Sequence, residues 1–139
     1  MSKADKVREL LEGVEACGWP LEYAGYFHHF NAGRYYEAHD VLEQLWLPDR
    51  KGAHGDFYKG LIQFAGAFVH LQKGRLGPSL ALFRLSQKYL EAYAPATLGL
   101  DLVSLFSIGR EWSTALEISG ANPLLDRLAP QLHLDQATA

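Results

Sequence analysis

Residues 30–48, Phe30 to Pro48, read FNAGRYYEAHDVLEQLWLP, and this stretch decides the fold because ionisable side chains fall on an apolar helix face within it. At about 100° per residue on a helical wheel, Leu45, Ala38, Leu42, Tyr35, Trp46, Tyr36 and Leu47 form one apolar arc. His39 and Glu43 lie inside that arc, whereas Glu37, Asp40 and Gln44 fall opposite, where a soluble helix carries its charges. Residues four apart stack on one face with Cβ atoms about 5–6 Å apart. The spacing therefore lets His39 and Glu43 hydrogen-bond, share a proton or grip one metal ion.

Outward from this helix the chain stays helical. On its N-terminal side, LEYAGYFHHFNAG starts at Pro20 and stops at the Asn31–Gly33 signal. His28 and His29 project about 100° apart there, so they do not share a site, and either can decorate the surface. Earlier still, Ser2 and Asp5 form a loose capping arrangement. Val7, Leu10, Leu11, Val14 and Cys17 then recur at helical spacing, which predicts a first helix ended by Gly18.

On the C-terminal side, Pro48 and the run DRKGAHG make a turn whose Asp49, Arg50, Lys51 and His54 either cover a site or are solvated. A long helix is predicted from Asp56 to Lys73, with Phe57, Leu61, Phe64, Phe68 and Leu71 on one side and Ile62, Ala65 and Val69 widening the apolar arc. Its narrow remaining strip holds Lys59, Gln63, Gly66, Ala67 and His70. Gln63 and His70, seven apart, nearly eclipse after two turns, and the small residues between them leave a shallow groove. After Gly74, the next helix has its core stripe at Leu80, Phe83, Leu90 and Tyr93 and an exposed basic pair at Arg84 and Lys88. Asp101 caps a last long helix with Leu102, Leu105, Phe106, Trp112 and Leu116 inward. Gly120, Pro123 and Pro130 divide the remainder into a short helical turn and a packed or frayed tail. No strand-like alternation is present.

The expected fold is all-α: a compact bundle of about six helices with central antiparallel hairpins, one domain over residues 1–139 with a short Pro-containing tail from about residue 120. Gly33-Arg34 and Gly74-Arg75 each follow an aromatic-rich helix and precede another, 41 residues apart. The echo is faintly tetratricopeptide-like, although the spaced Trp, Gly, Tyr and Ala of those repeats are absent.

Composition narrows the function classes. With 48% hydrophobic and 21% charged residues the chain is an ordinary globular one, and a net charge of −3 argues against a nucleic-acid partner. Cys17 is the single cysteine, so there is no intrachain disulfide or multi-cysteine zinc site. The N-terminal MSKADKVRELLEGVEACG has no uninterrupted apolar run, hence neither a signal peptide nor a membrane span is expected, and the expected location is cytoplasmic.

FNAGRYYEAHDVLEQLW followed by GLIQFAGAFVHLQKG and a helix of the type LALFRLSQKYL resembles the small all-helical family called domain of unknown function three-hundred-nine, over roughly Phe27 to Trp112. The resemblance implies a compact helical bundle and a motif at Asn31, Gly33, Glu37, His39, Glu43, Trp46, Gly60, Gln63, His70 and Gly74. It implies no activity.

Chemistry must then come from the residues themselves. If the two central helices pack antiparallel, His39 and Glu43 face Gln63 and His70. As a catalytic set these four suit two mechanisms. His39, Glu43 and His70 form an open site for zinc, iron or manganese that activates water for hydrolysis, with Gln63 orienting the substrate. Without metal, Glu43 fixes the His39 tautomer for general-base work and His70 is the acid. Two further accounts stand beside these. The cluster is a hydrogen-bond network that only fixes helix register; or the chain is a helical interaction module whose Trp19, Tyr23, Tyr26, Tyr35 and Tyr36 build an interface groove. Whether the partner is a small molecule or a protein, and the oligomeric state, are left open by the sequence.

Overall fold

Ser2 and Asp5 start the first helix as the capping box expected: the Ser2 hydroxyl accepts the Asp5 N–H, and the Asp5 carboxylate accepts the Ser2 N–H. The computed structural model describes residues 1–138. Helix α1 (Lys3–Leu10) stops well short of Gly18. Gly13 and Cys17 both adopt positive φ, at 77° and 52°, so the apolar recurrence through Val14 and Cys17 continues in sequence but not in a helix.

Two helical hairpins follow, α2 (Leu21–Asn31) with α3 (Tyr35–Trp46), and α4 (Gly55–Gln72) with α5 (Leu76–Leu90). Their turns have the same geometry. Gly33 and Gly74 sit at φ 78° and 71°. The Arg34 N–H donates to the His29 carbonyl at 2.9 Å and the Arg75 N–H to the His70 carbonyl at 2.8 Å. This is the Schellman closure, in which a left-handed residue, here glycine, lets the chain reverse while the last carbonyls stay bonded. The sequence echo is thus a structural repeat of two hairpins.

Helix α4 is central, with Phe57, Leu61, Phe64, Ala65, Ala67, Phe68 and Leu71 buried. Ala67 belongs to the core rather than to the polar strip. Aromatic rings from three helices meet there: Phe30 lies 5.7 Å from Phe64 and 5.3 Å from Phe68, and Tyr35 stacks on Phe68 at 5.0 Å. Two buried hydroxyls are bonded to backbone, Tyr26 to the Leu61 carbonyl and Ser86 to that of Gly60, whereas those of Tyr35 and Ser79 make no hydrogen bond. Tyr23, Tyr26 and Tyr35 are buried and Trp19 is half-buried, leaving Tyr36 alone of the five exposed. The aromatic interface groove expected from them does not exist, because these rings make the core.

Helix α6 (Leu102–Ser119) packs on α5, and the Asp101 carboxylate accepts the N–H groups of Val103 and Ser104. Just before it, β1 (Ala96–Thr97) and β2 (Leu100–Asp101) form an antiparallel ladder too short to show alternation in sequence. The tail is packed, not frayed. The Asn31 side chain brackets Leu132, donating to its carbonyl and accepting its N–H, both at 2.7 Å, and the Asp135 N–H bonds to Gly99 at 2.9 Å. Among the described residues, no helix is long and apolar enough to cross a membrane.

Candidate functional site

The Tyr35–Phe68 stack fixes α3 antiparallel to α4, and beside it the two helices leave a groove of about 340 Å³. Tyr36 and His39 of α3 form one wall. Ile62, Gln63, Gly66, Val69 and His70 of α4 form the other, together with Leu82 of α5, which lies against Gly66, and Lys73, which follows α4. Three of the four residues expected at the site, His39, Gln63 and His70, therefore border one hollow. Glu43 does not border it.

Glu43 is turned to α1, where Lys3 Nζ lies 2.7 Å from its Oε1. This hydrogen bond is the main cause holding the Lys3 pKa above its usual value. The buried residues of α3 are Tyr35, Ala38, Val41 and Leu42. Val41 was not part of the apolar arc read from sequence. With Val41 inward the buried face shifts toward Ala38, leaving His39 and Glu43 at its boundary. Asp40, assigned to the solvent side, is instead a partner: its Oδ1 lies 3.2 Å from His39 Nδ1 and 3.5 Å from Lys3 Nζ. Its side chain, 18% exposed, is more covered than that of Glu43 at 23%. His39 Nε2 stands 3.5 Å from Glu43 Oε2. Asp40 and Lys3 carry no mark in the sequence beyond their charge, since the contact depends on where α1 docks.

Across the groove, two polar atoms are without partners. Gln63 Oε1 and His70 Nδ1 are shut away from water and make no hydrogen bond. Burial lowers the His70 pKa, and the neighbouring Arg75 and Lys73 lower it further, so the ring is neutral at pH 7. No hydrogen bond among the described residues joins His39 to Gln63 or His70, so the four side chains do not form the single register-fixing network expected of a purely structural cluster. Nor do His39, Glu43 and His70 converge as ligands: among the described residues no group of three or more His, Cys, Asp or Glu side chains could hold a metal ion.

His28 and His29 diverge as expected, but His29 is not a surface residue. It is 4% exposed, with Nε2 2.7 Å from the Leu10 carbonyl oxygen and Nδ1 accepting from Arg34 Nε at 2.9 Å. Accepting at Nδ1 makes Nε2 the donor, and burial keeps the ring neutral by lowering its pKa. The 49–55 turn does not cover the groove; His54 packs on Phe57, Tyr58 and Tyr93 instead. A larger cleft of about 480 Å³ lies beside Cys17, His28 and His133. Its polar groups are exposed or already bonded, His133 to Asp135 and Asn31 to Leu132, and it presents no comparable unmet demand.

The model of a family described as Domain of unknown function (DUF309) matches residues 23–82. The Uncharacterized protein YpuF of Bacillus subtilis (strain 168) is 33% identical over 86 residues, which are 60% of this chain and 49% of that protein. The chain thus spans about half the length of this curated relative. No solved structure matches.

Proposed function

With residues 23–82 matching the model of the family described as Domain of unknown function (DUF309), which brings no activity with it, we propose that the chain is a binding module whose site is the groove between α3 and α4. Its ligand is an apolar group carrying an amide or similar hydrogen-bonding edge. The observation behind this is the pair of unpartnered polar atoms, Gln63 Oε1 and His70 Nδ1, on residues that line the groove beside Ile62, Val69 and Leu82; both atoms are covered, so each side chain turns toward the groove to meet a ligand. A buried polar group without a partner costs about 1–3 kcal/mol, and small-molecule sites are mostly apolar with a few such groups set to fix orientation. His39 stands on the facing wall with its ring oriented by Asp40 and Glu43. Neutral His70 offers one donor and one acceptor rather than a charge.

The metal-assisted hydrolysis expected of His39, Glu43 and His70 has less support, since Glu43 would first have to give up Lys3 and rotate toward the groove. The metal-free acid–base version uses the same hollow, and a bound substrate is its precondition.

Benzamide carries the minimal chemistry: a ring for the apolar wall and an amide for Gln63 and His70. Titrated into the labelled protein, it should shift the Gln63 amide, the His70 ring and the Ile62 and Val69 methyl signals saturably, and Gln63→Leu should abolish the response. Shifts that do not saturate, or that scatter over the surface, would count against the site.

A further inference from the structure

A shift of 41 residues lays the first hairpin on the second. Asn31, which ends α2, falls on Gln72, which ends α4, and Tyr35, which starts α3, falls on Leu76, which starts α5. In the same register Gly25 falls on Gly66, His29 on His70, Arg34 on Arg75 and Val41 on Leu82. What covers these matched positions differs.

Over the first hairpin lies the end of α1. A Cβ built on Gly25 would stand 2.6 Å from Leu11 Cδ2 and 3.6 Å from Val41 Cγ2, so Leu11 occupies the notch that the missing side chain leaves. One residue earlier, the Leu10 carbonyl accepts from His29, whose other nitrogen accepts from Arg34. Over the second hairpin the same notch is open. A Cβ on Gly66 would meet only Leu82 Cδ1, at 3.1 Å, and among the described residues no carbonyl bonds to the His70 ring, whose Nδ1, the counterpart of the nitrogen that takes Arg34, is also without a partner. That open space is the groove.

Resting on the reading of this groove as a binding site, we propose that its occupant is a short amphipathic helix of another polypeptide, ending in two leucines, docked as α1 docks on the first hairpin. One leucine fills the notch over Gly66 against Leu82, and the carbonyl before it accepts from His70 Nε2, as the Leu10 carbonyl does from His29 Nε2. Charge supports this polarity of docking. The last turn of a helix carries partial negative charge, and it would meet Lys73 and Arg75, which already lower the His70 pKa. The charges along α5 also separate this helix from α1. Where α1 sets Lys3 on Asp40 and Glu43, the shifted register supplies Ala81 and Arg84, the latter paired with Glu117 of α6 at 2.7 Å; a lysine there would meet a cation, so the occupant carries an acidic residue in place of Lys3 and shares Arg84 with Glu117. Apolar anchors at helical spacing in a groove are a common mode of peptide recognition.

The probe is an acetylated, amidated peptide of residues 2–13 carrying Lys3→Glu, titrated into the full chain with backbone amide signals followed by NMR. The expected result is saturable shifts at Gly66, His70 and Leu82. Binding should weaken at least tenfold for a peptide also carrying Leu11→Asp, and likewise for the chain carrying Gly66→Leu, which fills its own notch. The peptide control keeps the outcome decisive should Gly66→Leu disturb folding. Shifts centred on Gly25 and Val41 would mean displacement of α1 and overturn the proposal, as would no binding at millimolar peptide. Benzamide binding without peptide binding would overturn the helix as occupant while leaving the groove reading intact; failure of both would overturn the two together.

Discussion

Replacing His29 with Phe keeps a ring in the core while deleting both of its hydrogen bonds, and the structure sets the size of the loss. The Leu10 carbonyl, 2.7 Å from Nε2, loses its side-chain partner. Such a group costs about 1–3 kcal/mol when left unpaired. Arg34 is exposed and its guanidinium returns to water, so it adds little. The expected loss at pH 7.5 is about 2 kcal/mol, a fall of about 6 °C in Tm for a chain of this size. Lowering the pH should narrow the gap. The folded His29 pKa is depressed, chiefly by burial, so as pH falls the unfolded chain takes up the proton first. The stability contributed by neutral His29 is full above the ordinary value of about 6.5 and is lost as pH drops below it toward the folded value, at no more than about 1.4 kcal/mol per pH unit. Phe has no such dependence, whereas His70 titrates in the same direction in both proteins. Guanidinium unfolding of the two proteins at pH 7.5, 6.5 and 5.5 reads this directly. Equal midpoints at pH 7.5, or a gap of constant size across the series, would refute the reasoning.

Two further outcomes follow from the same geometry. Asn31→Ala removes both bonds that bracket Leu132, and hydrogen exchange at the Leu132 and Asp135 amides should quicken at least tenfold while amides inside α4 change by no more than the global loss of stability. Lys3→Ala should cost less than about 1 kcal/mol, because the lysine is half exposed and such pairs are weak, and the difference should shrink in 0.5 M salt when followed by thermal melts.

The parts of the fold that were legible in the sequence are those governed by local rules. Ser2 with Asp5, Asp101 and the two Gly-Arg turns each act within a few residues of themselves, so type and spacing were enough to place them. What depended on distant partners was not legible. Val41 is buried because α1 and α2 close over it, and that shifts the inner face of α3 away from Glu43. His29 is buried because α1 ends on it, which no reading of HisHis alone reveals. One signal could have found it: the 41-residue echo, extended past the turns, pairs His29 with His70 and Gly25 with Gly66. At the groove, residue type correctly brought His39, Gln63 and His70 to one hollow, while the role of Asp40 depended on the docking of Lys3.

The cost of the groove is itself informative. Gln63 Oε1 and His70 Nδ1 lie out of reach of water with nothing to bond to, and each such atom costs about 1–3 kcal/mol. An apolar side chain of similar size removes that cost without opening a cavity, so Gln63→Leu should raise stability, by about 1 kcal/mol in chemical denaturation. At a merely structural cluster the sign is opposite, since removing one member strands the others. The pairing of that gain with loss of benzamide binding would mark a position where stability is given up for recognition. A drop in stability on Gln63→Leu would show instead that the amide is already satisfied in solution, and that the groove holds no unmet hydrogen bond for a ligand to fill.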